Sequence, residues 1–371
     1  VTEPTAYQQS GVDTEAGDLA IELMRSDVVA THRGRVPGGV GGFAGLFDAQ
    51  ALTQYRHPIL ASATDGVGTK VAIAQALDRH DTIGQDLVAM VIDDIVVVGA
   101  TPLFLTDYIA CGKVVPERIA AIVSGIARSC LAANVALVGG ETAEHPGLLG
   151  PDDYDVAAAG TGVVEADQML GPDRVEDGDV VIAMASSGLH SNGYSLARHI
   201  VAQAGLDLHQ VVQRTGRTLG DELLEPTELY APVVVALLEE SREGIHAFSH
   251  VTGGGIAQNL QRVIPPGLAV AVDRSTWQPP EIMRFLAEAG SLEFADVEDT
   301  WNMGVGFFAI TNPENSDRVI EFCRRSGVRA WQVGVVSSAP SGAERDGWVS
   351  GAKGVAGGAV RLVGDYSSSS L

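Results

Sequence analysis

Residues 58–70 read PILASATDGVGTK. The first seven, Pro58 to Thr64, are apolar or β-compatible and predict a short strand. Asp65 and two glycines interrupt the run, and from Thr69 to Arg79 the apolar spacing becomes helical. Strand, acidic turn and helix make the elementary unit of an α/β fold. Asp65 sits where a strand's carboxyl end meets a helix start. A carboxylate there serves as a turn or cap residue, or as a magnesium ligand. Lys70 is a candidate point charge for a phosphate.

The same alternation extends outward in both directions. Helices are expected at Asp13 to about Arg33, Thr82–Val98 and Pro116–Ala133, the last with proline where a missing N–H costs nothing. Strands fit Leu103–Ala110, Val135–Val138 and Val156–Val164. Gly171-Pro172-Asp173 marks a boundary. Beyond it, strands are expected at Asp179–Ala185, Leu268–Val272, Gly304–Ile310 and Ala330–Val336. Helices are expected at about Asn192–Ala204, Pro226–Ser241, Ile256–Val263, Pro280–Ala289 and 313–325. The chain therefore reads as α/β of the α+β type in two domains, 1–170 and 171–340, with a mobile tail at 341–371 that ends in four serines and a leucine.

Composition narrows the function. The 371 residues are 46% apolar and 19% charged, ordinary for a globular chain. Acidic residues outnumber basic ones 47 to 24, for a formal charge of −23. Such a surface repels nucleic acid, so an anionic substrate needs a locally positive pocket. The three cysteines, Cys111, Cys130 and Cys323, show no metal or disulfide spacing and read as reduced core thiols. The start, Val1-Thr2-Glu3-Pro4, has neither a basic nor an apolar run, and no stretch is apolar for the length of a membrane helix. A cytoplasmic protein without a membrane partner is expected.

Further segments carry chemistry. Gly38, Gly39, Gly41 and Gly42 belong to GGVGGFAG at 38–45, a loop whose backbone N–H groups can converge on an anion. It matches the dinucleotide fingerprint only formally, because no strand precedes it. Asp93-Asp94 lies inside the most apolar helix, where two adjacent carboxylates point about 100° apart and at most one faces inward. Asp107 lies within a strand. Gly139-Gly140-Glu141 follows one. Oxygen-only acids of this kind suit Mg²⁺ held together with substrate phosphates. In the second half, Ser186 to Ser195 (SSGLHSNGYS) follows a strand, with His190, Ser191 and Asn192 placed to bind phosphate or move a proton. Thr252-Gly253-Gly254-Gly255 is a second candidate cradle.

Taken in order, YQQSGVDTEAG at 7–17, GGVGGFAGLF at 38–47, TDGVGTK at 64–70, HDTIGQDLVAM at 80–90, GGETAEHPG at 139–147, DYDVAAAGTGVVE at 153–165, SSGLHSNGYSLAR at 186–198 and HVTGGG at 250–255 resemble the phosphoribosylformylglycinamidine cyclo-ligases, or AIR synthetases, of purine biosynthesis. The resemblance spans residues 7 to about 336. It implies an ATP-dependent ring closure that turns formylglycinamidine ribonucleotide into aminoimidazole ribonucleotide, ADP and phosphate, with Mg²⁺. It implies N-terminal domains paired in a homodimer through a β-barrel, with a second α/β domain alongside.

Carried onto this chain, the resemblance makes Gly38, Gly39, Gly41, Gly42 and Gly140 nucleotide contacts. Asp65, Asp94 and Glu141 become Mg²⁺–ATP ligands, with Lys70 on a phosphate and Asp107 near the nucleotide. Relatives often have Asn at the position of Asp93, so Asp94 is the expected ligand. His190, with Asp94 and Lys70, is assigned to catalysis. Ser191, Asn192, Thr252, Gly253 and Gly254 are assigned to the substrate. Two alternatives remain. One is another ATP enzyme of the superfamily, selenophosphate-synthetase-like or thiamine-phosphate-kinase-like; the missing early cysteine counts against the former. The other is a non-catalytic nucleotide-binding scaffold, which would not need the acids.

Overall fold

A computed structural model describes residues 13–340 and 346–367. The start of the motif at 7–17, and part of the expected tail, lie outside the described residues. The chain forms two compact units. The first runs through Ile95 and includes Ala100–Ala166; the second comprises Val96–Gly99 and the chain from Asp167 onward.

The first unit is a helix layer on a four-stranded sheet. Helix α1 (Thr14–His32) starts at Asp13, whose carboxylate accepts from Ala16 N at 3.1 Å, and stops at Arg33 in the left-handed region. Strand β1 (Pro58–Gly66) leads through a single 3₁₀ turn to α2 (Val71–Leu77) and α3 (Ile83–Val96). Strand β2 (Thr101–Cys111), α4 (Pro116–Ala132), β3 (Ala136–Glu144) and β4 (Tyr154–Glu165) complete it. The sheet order is β1-β4-β2-β3, antiparallel except for the β2–β3 pair. On β4, Val156, Ala158, Gly160 and Gly162 alternate inward, and Val91 and Ile95 of α3 press against Gly160. The opposite face holds Ala157, Ala159 and Thr161, with Leu60 and Tyr108 exposed beside them.

The second unit is built on a six-stranded sheet. Its strands are β5 (Val180–Ala185), β8 (Ile245–His250), β9 (Leu268–Asp273), β10 (Val305–Thr311), β11 (Ala330–Ser338) and β12 (Ala359–Val363). A small ribbon, β6 (Val211–Val212) and β7 (Arg217–Thr218), stands apart. The order is β12-β9-β11-β5-β10-β8, with only β12–β9 parallel. Strand β10, apolar but for Thr311 and paired on both sides, is buried at every position. The helices are α5 (Tyr194–Gln203), α6 (Leu219–Leu223), α7 (Ala231–Ser241), α8 (Gly255–Leu260), α9 (Glu281–Gly290) and α10 (Ser316–Arg325).

Several expectations need correction. Gly139, Gly140 and Glu141 lie inside β3, not beyond it, because pairing with β2 continues through Glu144. The helix expected from Pro226 begins only at Ala231, since residues 226–230 form a loop that seats the segment after β5. Part of the stretch expected as a mobile tail is strand β12, whose short VRLV run was hidden among glycines. Strand β8 was missed because its two histidines break the apolar pattern. All three cysteines are buried and unbridged, and burial, with Glu144 nearby, pushes the Cys111 thiol up to about 11. Among the described residues no helix is long and apolar enough to cross a membrane.

Candidate active site

In the first unit, sheet register lines up the acids. Asp65 on β1 pairs with Ala158 on β4, Ala158 with Asp107 on β2, and Asp107 with Gly140 on β3. One row across the sheet thus carries Asp65, Asp107 and the glycine before Glu141. Above its β2–β3 end is a cleft of about 500 Å³, walled by Ala20, Ile21, Met24 and Val28 of α1 and roofed by residues 39–45 of the glycine loop. Thr106, Asp107 and Gly139 to Thr142 line the sheet side. The loop needs its glycines: Gly38, Gly39 and Gly41 have φ of 83°, 71° and 107°. Gly39, Gly41 and Gly42 line the cleft, whereas Gly38 does not, and Phe43 is fully exposed.

Asp107 is the most perturbed carboxyl of this cleft. Burial pushes it up to about 7, against a lowering from its own backbone hydrogen bond. Gly140 makes room for it, because a Cβ there would overlap the Asp107 carboxylate. Gly140→Ala should therefore displace Asp107 and destabilise the fold by about 1–3 kcal/mol, the usual cost of overpacking. Denaturant titration measures this, and an unchanged midpoint would refute the tight contact.

Lys70, expected on a phosphate, is held by a carboxylate of the same unit. Its ammonium lies 2.8 Å from Asp86 Oδ1, and both side chains are fully buried. Asp86 and Asp93 are seven residues apart on α3, hence on one face, and both are wholly buried; Asp94 is turned outward and exposed. Asp86 was missed by sequence reasoning, although a carboxylate recurring every seven positions in an apolar helix was the available signal.

Asp65 is half-buried, with Oδ1 accepting from Gly66 N at 2.7 Å, and Glu141 is exposed at the cleft. The two belong to opposite edge strands, three strand spacings or roughly 14 Å apart. Among the described residues no three His, Cys, Asp or Glu side chains come close enough to cage a metal ion. The expected trio Asp65, Asp94 and Glu141 is therefore not one preformed metal centre. Glu144 is structural, accepting from Asp13 N and Val114 N, each at 2.7 Å.

In the second unit the loop after β5 is held from below by His190. The ring is 1% exposed and its backbone is left-handed at φ 63°. Its Nε2 accepts from Ser187 N at 3.2 Å and Glu228 N at 3.4 Å, which leaves Nδ1 as the protonated nitrogen. A Cβ on Gly306 would collide with this ring and with the Tyr230 hydroxyl. His190 thus supports the loop from a buried position. Ser191 is buried beside it, and Asn192 is half-buried. Asn192 Oδ1 lies 3.7 Å from where a side chain on Gly253 would begin, so the two glycine-bearing loops meet here.

The second loop has its own organiser, which sequence reasoning also missed. Asn259 is 1% exposed, and its Nδ2 donates to Thr252 O at 3.1 Å, Gly253 O at 3.4 Å and Gly255 O at 2.8 Å. One amide thus shapes the whole turn. Thr252 and Gly254 are half-buried and Gly253 is exposed, so the loop presents its backbone outward. A larger groove of about 710 Å³ in the same unit is lined by residues that pair among themselves, such as Arg214 Nη1 with Glu281 Oε2 at 3.2 Å, and by none of the residues singled out from sequence.

The two units fall on the two domains of the AIR synthase related proteins. Residues 48–164 match the N-terminal domain of that family and residues 176–347 its C-terminal domain. Of solved structures, thiamine-monophosphate kinase from Stenotrophomonas maltophilia K279a shares the fold, at TM-score 0.66 and 18% identity over 94% of this chain and 96% of that one. Hydrogenase maturation protein HypE, solved in complex with ATP, shares it at TM-score 0.59 and 17% identity over 98% and 93%. Sequence relatives are much closer. The phosphoribosylformylglycinamidine cyclo-ligases of Geobacillus kaustophilus and Geobacillus thermodenitrificans are each 47% identical, over 90% and 89% of this chain and 95% of theirs. The chain belongs to the phosphoribosylformylglycinamidine cyclo-ligase family of AIR synthase related proteins.

Proposed function

We propose that the protein closes the imidazole ring of aminoimidazole ribonucleotide from formylglycinamidine ribonucleotide, with ATP converted to ADP and phosphate. The observation that carries this reading is the 47% identity, over 90% of the chain, to enzymes named for that reaction. The chemistry is coherent. The oxygen of a formamide is a poor leaving group. Transfer of the γ-phosphoryl to it makes phosphate the leaving group, and a nearby substrate nitrogen then attacks the activated carbon. Such a reaction needs positioned groups and charge neutralisation, and no covalent protein nucleophile.

The glycine loop and the row Asp65–Asp107 are the proposed nucleotide side. Mg²⁺ takes one or two carboxylates together with nucleotide phosphates. Among Asp65, Asp94 and Glu141, that stoichiometry fits the separated acids better than a protein cage does, and the ion would neutralise phosphate charge. Ser191, Asn192, Thr252, Gly253 and Gly254 are the proposed substrate side, with His190 holding the loop in shape. A homodimer and a cytoplasmic location complete the proposal. The small-residue outer face of the first sheet, with Leu60 and Tyr108 exposed, supports pairing of two such sheets.

The direct test incubates the purified protein with formylglycinamidine ribonucleotide, ATP and Mg²⁺. Aminoimidazole ribonucleotide and ADP should form in equal amounts, and neither should form without Mg²⁺. ATP binding without ring closure would reject the reading in favour of another superfamily substrate.

A further inference from the structure

The segment after the matched C-terminal domain returns to the Thr252 loop. Lys353 lies beyond the matched residues 176–347. It adopts a left-handed backbone, φ 54° and ψ 29°, between Gly351 and Gly354, which are left-handed as well. A non-glycine residue in that region is disfavoured and needs surroundings that hold it. Here they do. Ala352 O accepts from Gln261 Nε2 at 3.2 Å, Gly358 N donates to Ile264 O at 2.6 Å, and β12 then enters the sheet beside β9. Gly357 packs so closely on Gln261 that a side chain there has no room.

The result is a lysine aimed at one place. Its ammonium donates to Asn259 Oδ1 at 2.9 Å and reaches Thr252 Oγ1 at 3.4 Å. Asn259 cannot turn away, because its Nδ2 is committed to the three carbonyls of the turn. Lys353 is an exposed residue whose ammonium is held over the turn. In a chain of net charge −23, a phosphorylated substrate needs such a local cation.

We propose that Lys353 binds the phosphate of the ribonucleotide substrate over the Thr252–Gly254 turn. The strap of residues 351–358 thereby supplies a substrate contact to a loop it otherwise only buttresses. This rests on the reading of that loop as part of the substrate side.

The test uses the full chain with Lys353→Met, Lys353→Arg, Thr252→Val and Asn192→Ala, and measures KM and kcat for both substrates, inhibition by ribose 5-phosphate, and melting temperature. Lys353→Met should raise KM for formylglycinamidine ribonucleotide about 10- to 100-fold, the range for losing a charge-assisted hydrogen bond. It should weaken ribose 5-phosphate inhibition by a similar factor and leave KM for ATP, kcat and melting temperature nearly unchanged. Lys353→Arg should restore most of the affinity. A parallel loss in every parameter with a lower melting temperature would overturn the proposal in favour of a purely structural lysine. If Thr252→Val or Asn192→Ala raises KM for the ribonucleotide and Lys353→Met does not, Lys353 is excluded while the loop reading stands. If none of the three raises it, the loop reading itself has failed, and the proposal with it.

Discussion

Lys70→Met should destabilise the protein by on the order of 3–5 kcal/mol, because it removes a cationic partner from the Asp86 carboxylate in a site from which water is excluded. The geometry behind this is a 2.8 Å ion pair with both side chains at zero exposure. In such surroundings the attraction is hardly screened, so the loss should be nearly independent of salt. The double variant Lys70→Met/Asp86→Leu should recover a large part of the stability, since exchanging a buried pair for apolar residues of similar size is often neutral. Urea titration of the three proteins decides the matter. A phosphate-binding lysine would behave differently: the single variant would keep its denaturation midpoint and lose affinity for ATP. Finding that pattern would return Lys70 to the nucleotide side.

Asp107→Asn should uncouple stability from activity. Burial holds this carboxyl at about 7 in the folded chain, whereas an unperturbed aspartate has a value of 3.8. Between those values the unfolded chain loses the proton and the folded chain keeps it. Asp107 therefore erodes stability as pH rises from about 4 to about 7, with no further loss above. Asparagine does not titrate, so the variant's advantage should grow over the same window to on the order of 2–4 kcal/mol at pH 8 and vanish near pH 4. Turnover should fall about 10²-fold, the scale of removing one positioned ionisable group. Melting curves at pH 4 and pH 8 together with steady-state rates test both halves. Equal melting shifts at the two pH values would show that Asp107 titrates normally, and unchanged turnover would remove it from the nucleotide side.

What the sequence disclosed about the site depended on which side chains advertise themselves. Asp65 and Glu141 stand next to glycines, and Asp107 interrupts a strand, so all three are conspicuous, yet only register shows that Asp65 and Asp107 share a row while Glu141 sits on the far edge. Lys70 looks like a phosphate ligand because it follows a glycine-rich turn. Asp86, which it pairs with, is sixteen positions away on a helix whose buried acids are indistinguishable, in sequence, from exposed ones. His190 was noticed for its chemistry, but its burial was not legible, since burial of a loop residue is set by tertiary contacts such as Tyr230 and Gly306. The strands of the first unit were legible because apolar runs and breakers alternate cleanly there. Strands β8 and β12 were not, since a histidine-bearing strand and a five-residue edge strand owe their existence to the neighbours they pair with.

The strand order of the second sheet also sets a timetable for assembly. Every strand of the first unit is present once Glu165 has been synthesised, and its pairings all lie within that stretch. Strand β5 is different: it is one of the two middle strands of its sheet, yet its two neighbours begin only at Val305 and Ala330. Until then an entirely apolar ribbon has two unpaired edges. Pairings so distant along the chain are slow to form and leave strand edges open to other molecules in the meantime. The first half can thus mature early on the ribosome, while the second waits, and β5 is the segment most in need of shelter during that delay.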